Sequence, residues 1–109
     1  MQRTQKDGVI ISCDFCGTDW DQVRPMIEGH HGSVLCLECL KQALTHHAPA
    51  AQKFQCTLCL QDRPAGVKSW APQPRPAAAN PQARACLDCL HQAARAFDRD
   101  PDVAWKWQK

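Results

Sequence analysis

The sequence has no long apolar run, no phosphate-binding glycine loop, no large charge excess and no unpaired cysteine. Each absence closes off a class of function. No segment approaches the roughly 18 apolar residues needed to span a membrane. The opening stretch MQRTQKDGVIISC carries only Val9-Ile10-Ile11 as an apolar run, far shorter than the apolar stretch of a secretory leader. A cytoplasmic location without membrane association is therefore expected, in a compartment where thiols stay reduced. No G-x-x-x-x-G-K-[ST] phosphate loop occurs. The formal net charge is only +2, unlike that of a strongly basic nucleic-acid protein.

What the chain does have is cysteine. Its 109 residues contain eight, all in Cys-x-x-Cys pairs: Cys13/Cys16, Cys36/Cys39, Cys56/Cys59 and Cys86/Cys89. Between the pairs lie 19, 16 and 26 residues. Each half of the chain is a unit of about 50 residues, too small to be stable on apolar burial alone. A disulfide inside a Cys-x-x-Cys pair would close a tiny loop and remove little unfolded-chain entropy. Metal is the better staple, and for four thiolates the metal is zinc.

An internal repeat sets the pairing. Residues 36–43 read CLECLKQA and residues 86–93 read CLDCLHQA, each following an earlier Cys-x-x-Cys. Two sequential sites are implied, one of Cys13, Cys16, Cys36 and Cys39, the other of Cys56, Cys59, Cys86 and Cys89. Two structural Zn2+ ions per chain are expected. Thiolates at i and i+3 converge on one ion, two pairs complete a tetrahedron, and no coordination position is left for water. Such closed sites contribute apparent binding energies of about 10–16 kcal/mol to folding and do not activate a nucleophile. No enzymatic activity is expected.

The fold expected is a small metal-stabilised α+β chain of two tandem treble-clef-like four-cysteine zinc fingers. Each runs knuckle, hairpin, helix. Gly17 suits a left-handed backbone position after the first pair, and Val23, Met26 and Ile27 are expected to line the first hairpin, with Gly29 to Gly32 at its tip. Leu40, Ala43 and Leu44 give one helical face, and Leu90, Ala93, Ala94 and Phe97 the other. Ala48-Pro49-Ala50 and the stretch Asp98 to Pro101 end the helices. Residues 1–51 form the first finger and 52–100 the second. A Pro/Ala-rich insertion near 71–85, APQPRPAAANPQARA, is expected as an exposed, semi-rigid excursion. Residues 101–109 form a Trp-containing C-terminal arm.

Residues 13–40 resemble the N-terminal zinc-binding domain of the ClpX family, the unfoldase of a regulated protease. The resemblance rests on CDFCG, on VRPMIEG as a Val-Arg-x-x-Ile-x-Gly hairpin, on Val34 and on CLEC. It implies the family's metal ligands at Cys13, Cys16, Cys36 and Cys39, a treble-clef fold, dimerisation, and recognition of adaptors or substrates. The second half shares the cysteines and the CLDCLHQA helix but not the hairpin motif. The chain lacks the phosphate loop of the family's motor. Because the related module dimerises, the two fingers are expected to pack as a pseudo-twofold pair.

Other residues carry weaker signals. His30, His31, His46, His47 and His91 are expected at the surface, since four cysteines already complete each site. Trp20 and Trp70 are expected to pack over the small hairpins. In DVAWKWQK, Val103, Trp105 and Trp107 alternate along an extended segment, which either packs back on its own module or contacts a partner. Basic residues of the second half (Arg63, Lys68, Arg75, Arg84, Arg95, Arg99, Lys106 and Lys109) are interspersed with tryptophan, a pattern compatible with single-strand binding. The expected function is a zinc-binding protein–protein interaction module, adaptor- or substrate-recognition-like, with a protein partner or self-association. The alternative is a small nucleic-acid-binding or transcription-related zinc finger protein.

Overall fold

A computed structural model describes residues 1–107. The last two residues of the predicted arm, Gln108 and Lys109, lie outside the described residues. The chain opens with a hairpin of β1 (Gln2–Gln5) and β2 (Gly8–Ile11), joined at Lys6-Asp7 with Gly8 at φ 136°. The first cysteine turn follows. Next comes the hairpin of β3 (Met26–Glu28) and β4 (Val34–Cys36), whose connection includes a 3-10 turn at His30–Gly32. Helix α1 (Leu37–His46) starts directly from Cys36, whose sulfur accepts the Cys39 N–H at 3.4 Å and so caps the helix.

The second unit repeats this order. Strands β6 (Phe54–Gln55) and β7 (Asp62–Arg63) straddle its cysteine turn, and β8 (Lys68–Trp70) pairs with β9 (Ala85–Cys86) before α2 (Leu87–Arg99). Strand β5 (Ala48–Pro49), just after α1, adds to β8 with Ala48 opposite Ser69. The chain is thus a small α+β fold. Among the described residues no helix is long and apolar enough to cross a membrane.

One buried cluster joins both units. Leu40 and Ala43 of α1, Leu90, Ala94 and Phe97 of α2, and six of the cysteines belong to it, with Cys16 and Cys59 packed against it, and the two helices touch. Phe15, inside the first cysteine turn, stacks on Trp70 of β8 with ring centroids 5.7 Å apart. Two hydrogen-bonded joints tie each unit's cysteine turn to the other unit. His30 N–H donates to the Leu58 carbonyl at 2.9 Å, and Asn80 N–H donates to the Asp14 carbonyl at 2.8 Å.

Three expectations are corrected. Trp70 is buried, but Trp20 is 44 % exposed, because the space beside the first cysteine turn is filled by Phe15 and Trp70. Val23 does not line the hairpin and is exposed. The Asp21 carboxylate accepts N–H bonds from Val23 (2.9 Å) and Arg24 (2.8 Å), turning Val23 outward before β3 begins. The Pro/Ala-rich insertion is not simply an exposed excursion. Ala79 and Ala83 are buried, and the loop lies against the first cysteine turn. Arg75 Nη1 holds it in shape by donating to the carbonyls of Asn80 (2.9 Å) and Ala83 (3.1 Å).

Candidate metal centres

Each cysteine turn is built the same way. In the first, Gly17 N–H donates to the Cys13 carbonyl at 2.8 Å with Gly17 at φ 76°. In the second, Leu60 N–H donates to the Cys56 carbonyl at 2.8 Å with Leu60 at φ 62°. This left-handed position is costly for leucine and natural for glycine. The turn brings the first pair's sulfurs to the second pair, which stands at the hairpin–helix junction. Cys13, Cys16, Cys36 and Cys39 then form one group, and Cys56, Cys59, Cys86 and Cys89 another, with all sulfurs of a group within 4.8 Å of each other.

The spacing fits zinc. Four sulfurs about 2.3 Å from a tetrahedral ion stand about 3.8 Å apart. Cys13–Cys39, Cys16–Cys36 and Cys56–Cys89 are separated by 3.8, 3.7 and 3.8 Å. All eight cysteines are free thiols. Backbone N–H groups aim at the sulfurs as they would at thiolates: Phe15 and Cys36 to Cys13, and Cys86 to Cys56, each at 3.4 Å. Each group can hold one zinc ion, with four cysteine ligands and no open position.

Crowded thiols cannot all ionise without a cation. Hydrogen bonding from Cys13, then Cys39, pulls the Cys36 thiol down to about 4. Hydrogen bonding from Cys89 lowers Cys56 to about 4. The partners respond in the opposite sense. Cys39 is pushed up chiefly by its bond to Cys13, Cys89 by its bond to Cys56, and Cys86 by burial. A dication is what would draw the protons from the thiols that are pushed up.

The surroundings of the two groups differ. Cys16 Sγ lies 3.2 Å from the Thr18 hydroxyl. Cys59 Sγ instead accepts from Arg63 Nη2 at 3.8 Å. Asp14, between the first two ligands, is 4 % exposed. Its carboxylate accepts from Val34 N–H at 2.9 Å, from Asn80 Nδ2 at 3.1 Å and from the Met1 amino group. It thereby fixes the turn to β4 on one side and to the second unit on the other.

The remaining expected site residues are placed as follows. Val103 is buried, and Trp105 and Trp107 pack half-buried against the common core. The segment forms no strand. Trp107 N–H donates to Asp98 Oδ1 at 2.9 Å, and its ring sits 5.2 Å from that of His91, so the arm folds back on α2. Among the basic residues, Arg75, Arg84 and Lys106 donate to groups of their own chain. Arg95 and Arg99 stand exposed on α2 without an ion-pair partner among the described residues. They border a cavity of about 570 Å³ whose lining includes Ile27, Leu58, Ala93 and Ala96, with Glu28 also present.

Sequence reasoning passed over Asp14 and Asn80, and read Arg63 as one of the scattered basic residues rather than as a neighbour of the second centre. An acid enclosed by two cysteines, and an arginine four residues after a Cys-x-x-Cys, were the available signals. No curated protein and no solved structure matches the chain. A family model does match, and it ends before the second cysteine group. Residues 11–45 match the ClpX C4-type zinc finger, and a second four-cysteine group follows it in the same chain.

Proposed function

We propose that the chain is a zinc-stabilised protein-interaction module in which two treble-clef fingers pack as a pseudo-twofold pair. The match of residues 11–45 to the ClpX C4-type zinc finger carries the reading, since modules of that family serve protein recognition. The reciprocal joints support the paired arrangement. The loop ahead of each unit's second cysteine pair bonds to the other unit's first pair, through His30–Leu58 and Asn80–Asp14. Ile27 and Trp70 also hold equivalent register positions, opposite the residues before Cys36 and Cys86.

In this reading the second finger takes the place that a second copy would take in a dimer. The face left for a partner is the cavity between β3 and α2, where apolar Ile27 and Leu58 adjoin Arg95 and Arg99, which have no ion-pair partner among the described residues. The chain binds and does not catalyse, because closed four-cysteine sites leave a substrate no metal position. An adaptor or substrate-delivery role is the form of recognition the family suggests.

A nucleic-acid reading is favoured by the exposed Arg95 and Arg99. Capture by the tagged protein from host lysate, with and without nuclease, separates the two. A discrete protein partner that survives nuclease and is lost in an Arg95→Ala/Arg99→Ala variant at unchanged zinc content is the expected result. Recovery of nucleic acid, with protein partners lost on nuclease treatment, overturns the proposal.

A further inference from the structure

The two units supply an internal control for what surrounds a metal centre. Ile11 lies two residues before Cys13, and Phe54 two before Cys56. Trp20 lies four residues after Cys16, and Arg63 four after Cys59. The pairing is equivalent too: Trp20 N–H donates to the Ile11 carbonyl at 2.7 Å, and Arg63 stands opposite Phe54 in the β6–β7 ladder. At one structural position the first centre has a half-exposed indole and the second has a guanidinium. Arg63 Nη2 reaches Cys59, and Arg63 Nε is buried with no hydrogen-bond acceptor among the described residues. A buried guanidinium N–H without an acceptor is costly unless a nearby negative charge compensates it. The zinc-loaded group, four thiolates around one dication, provides that charge.

Cys16 and Cys59 are also the half-buried ligands of their centres, while the other six are buried. An approaching reagent therefore meets these two sulfurs first. Against a metal-bound thiolate the Thr18 hydroxyl at Cys16 is a neutral donor, whereas Arg63 at Cys59 is charged, and charge-assisted hydrogen bonds are roughly twice as strong. We infer that Arg63 makes the second centre the inert one, and that covalent modification of this protein by soft electrophiles begins at Cys16 of the first centre. In such a reaction a sulfur lone pair displaces the leaving group. A sulfur–carbon bond forms as the carbon–halide bond breaks, and the thioether product is a poorer zinc ligand than the thiolate.

A charged donor draws electron density from a metal-bound sulfur more than a neutral hydroxyl does, so Cys16 should react several-fold faster than Cys59. The inference concerns the centres themselves and does not depend on what partner the module binds.

The test is limiting iodoacetamide on the two-zinc protein, with the first alkylated cysteine located by peptide mass spectrometry and zinc counted by native mass spectrometry. Wild type should yield Cys16 adducts and lose its first zinc from the N-terminal group. Arg63→Gln should bring the Cys59 rate close to that of Cys16, while Trp20→Arg should slow Cys16 measurably. Equal rates at Cys16 and Cys59 in wild type overturn the inference, as does an Arg63→Gln protein that holds two zinc ions with Cys59 still slow. Should Arg63→Gln fail to hold both ions, Trp20→Arg decides: a slowed Cys16 supports the inference and an unchanged one rejects it.

Discussion

Asn80, in the proline-rich loop of the second unit, is bonded twice to Asp14 inside the first unit's cysteine turn. Its backbone N–H reaches the Asp14 carbonyl at 2.8 Å and its side-chain amide reaches Oδ2 at 3.1 Å. Asp14 is buried and also receives Val34 N–H, so it is the point where turn, hairpin and second unit meet. Removing its carboxylate leaves the buried Val34 N–H without its acceptor and takes the partner from Asn80 Nδ2 and the Met1 amino group.

Asp14→Ala should therefore destabilise the zinc-loaded protein by about 2–3 kcal/mol, and Asn80→Ala, which removes the side-chain bond to Asp14 and the one its Oδ1 accepts from the exposed Gln82 N–H, by about 1 kcal/mol. Guanidinium denaturation at saturating zinc measures both. If Asp14→Ala costs no more than Asn80→Ala, Asp14 is not the hub described here.

Gly29 tests the opposite joint. Its φ of −102° is open to any residue, so alanine there incurs no left-handed backbone penalty. A Cβ, however, would lie 2.7 Å from the Leu58 carbonyl oxygen and 2.6 Å from Ser33 Oγ. Gly29→Ala should cost about 1–3 kcal/mol by overpacking, mostly by pushing the hairpin tip off the second cysteine turn. Loss of protection from hydrogen exchange at the His30 amide would report this directly. A variant with wild-type stability and an unchanged His30 amide would remove this joint from the account.

The cysteine groups were legible in the sequence because ligand spacing is a local property, and so were both helices, whose apolar faces repeat within one element. The Leu40/Ala43 and Leu90/Ala94/Phe97 faces are buried as their spacing implies. The N-terminal hairpin was legible in principle, since Asp7-Gly8 is a strong turn signal, yet its exposed strands have no apolar alternation to mark them. What stayed hidden was long-range. Nothing near Asn80 announces Asp14, 66 residues away, and four prolines argue only against regular structure, not against docking. Trp20 and Trp70 look alike in sequence, but one of them faces Phe15 across the junction.

That contrast is itself measurable. Trp70 is buried and stacked on Phe15, so Trp70→Ala should cost about 3–5 kcal/mol. Trp20, half-exposed, should cost no more than about 1 kcal/mol when replaced by alanine. Thermal or denaturant melts of the two variants at equal zinc loading settle the ranking, and comparable losses at both positions would contradict the placement of the core.

Zinc and protons should compete openly. Cys39, Cys86 and Cys89 are pushed above the ordinary thiol value of 9.0, so at neutral pH they are protonated and zinc must displace their protons. Binding should tighten as pH rises from about 6 to 8 and should release protons in proportion. Calorimetric titration in two buffers of different ionisation enthalpy counts them. In the metal-free chain Cys36 and Cys56 behave in the other sense, because their folded values are depressed to about 4. The stability they contribute is complete above 9.0, the ordinary value, and fades as pH falls towards about 4. Acid therefore removes both supports together: it competes with zinc for its cysteine ligands and protonates the Cys36 and Cys56 thiolates. Because the units share one core and two reciprocal joints, chelation should unfold them in a single transition with two zinc ions released. Two well-separated transitions, each releasing one ion, would mean that the joints do not couple the units.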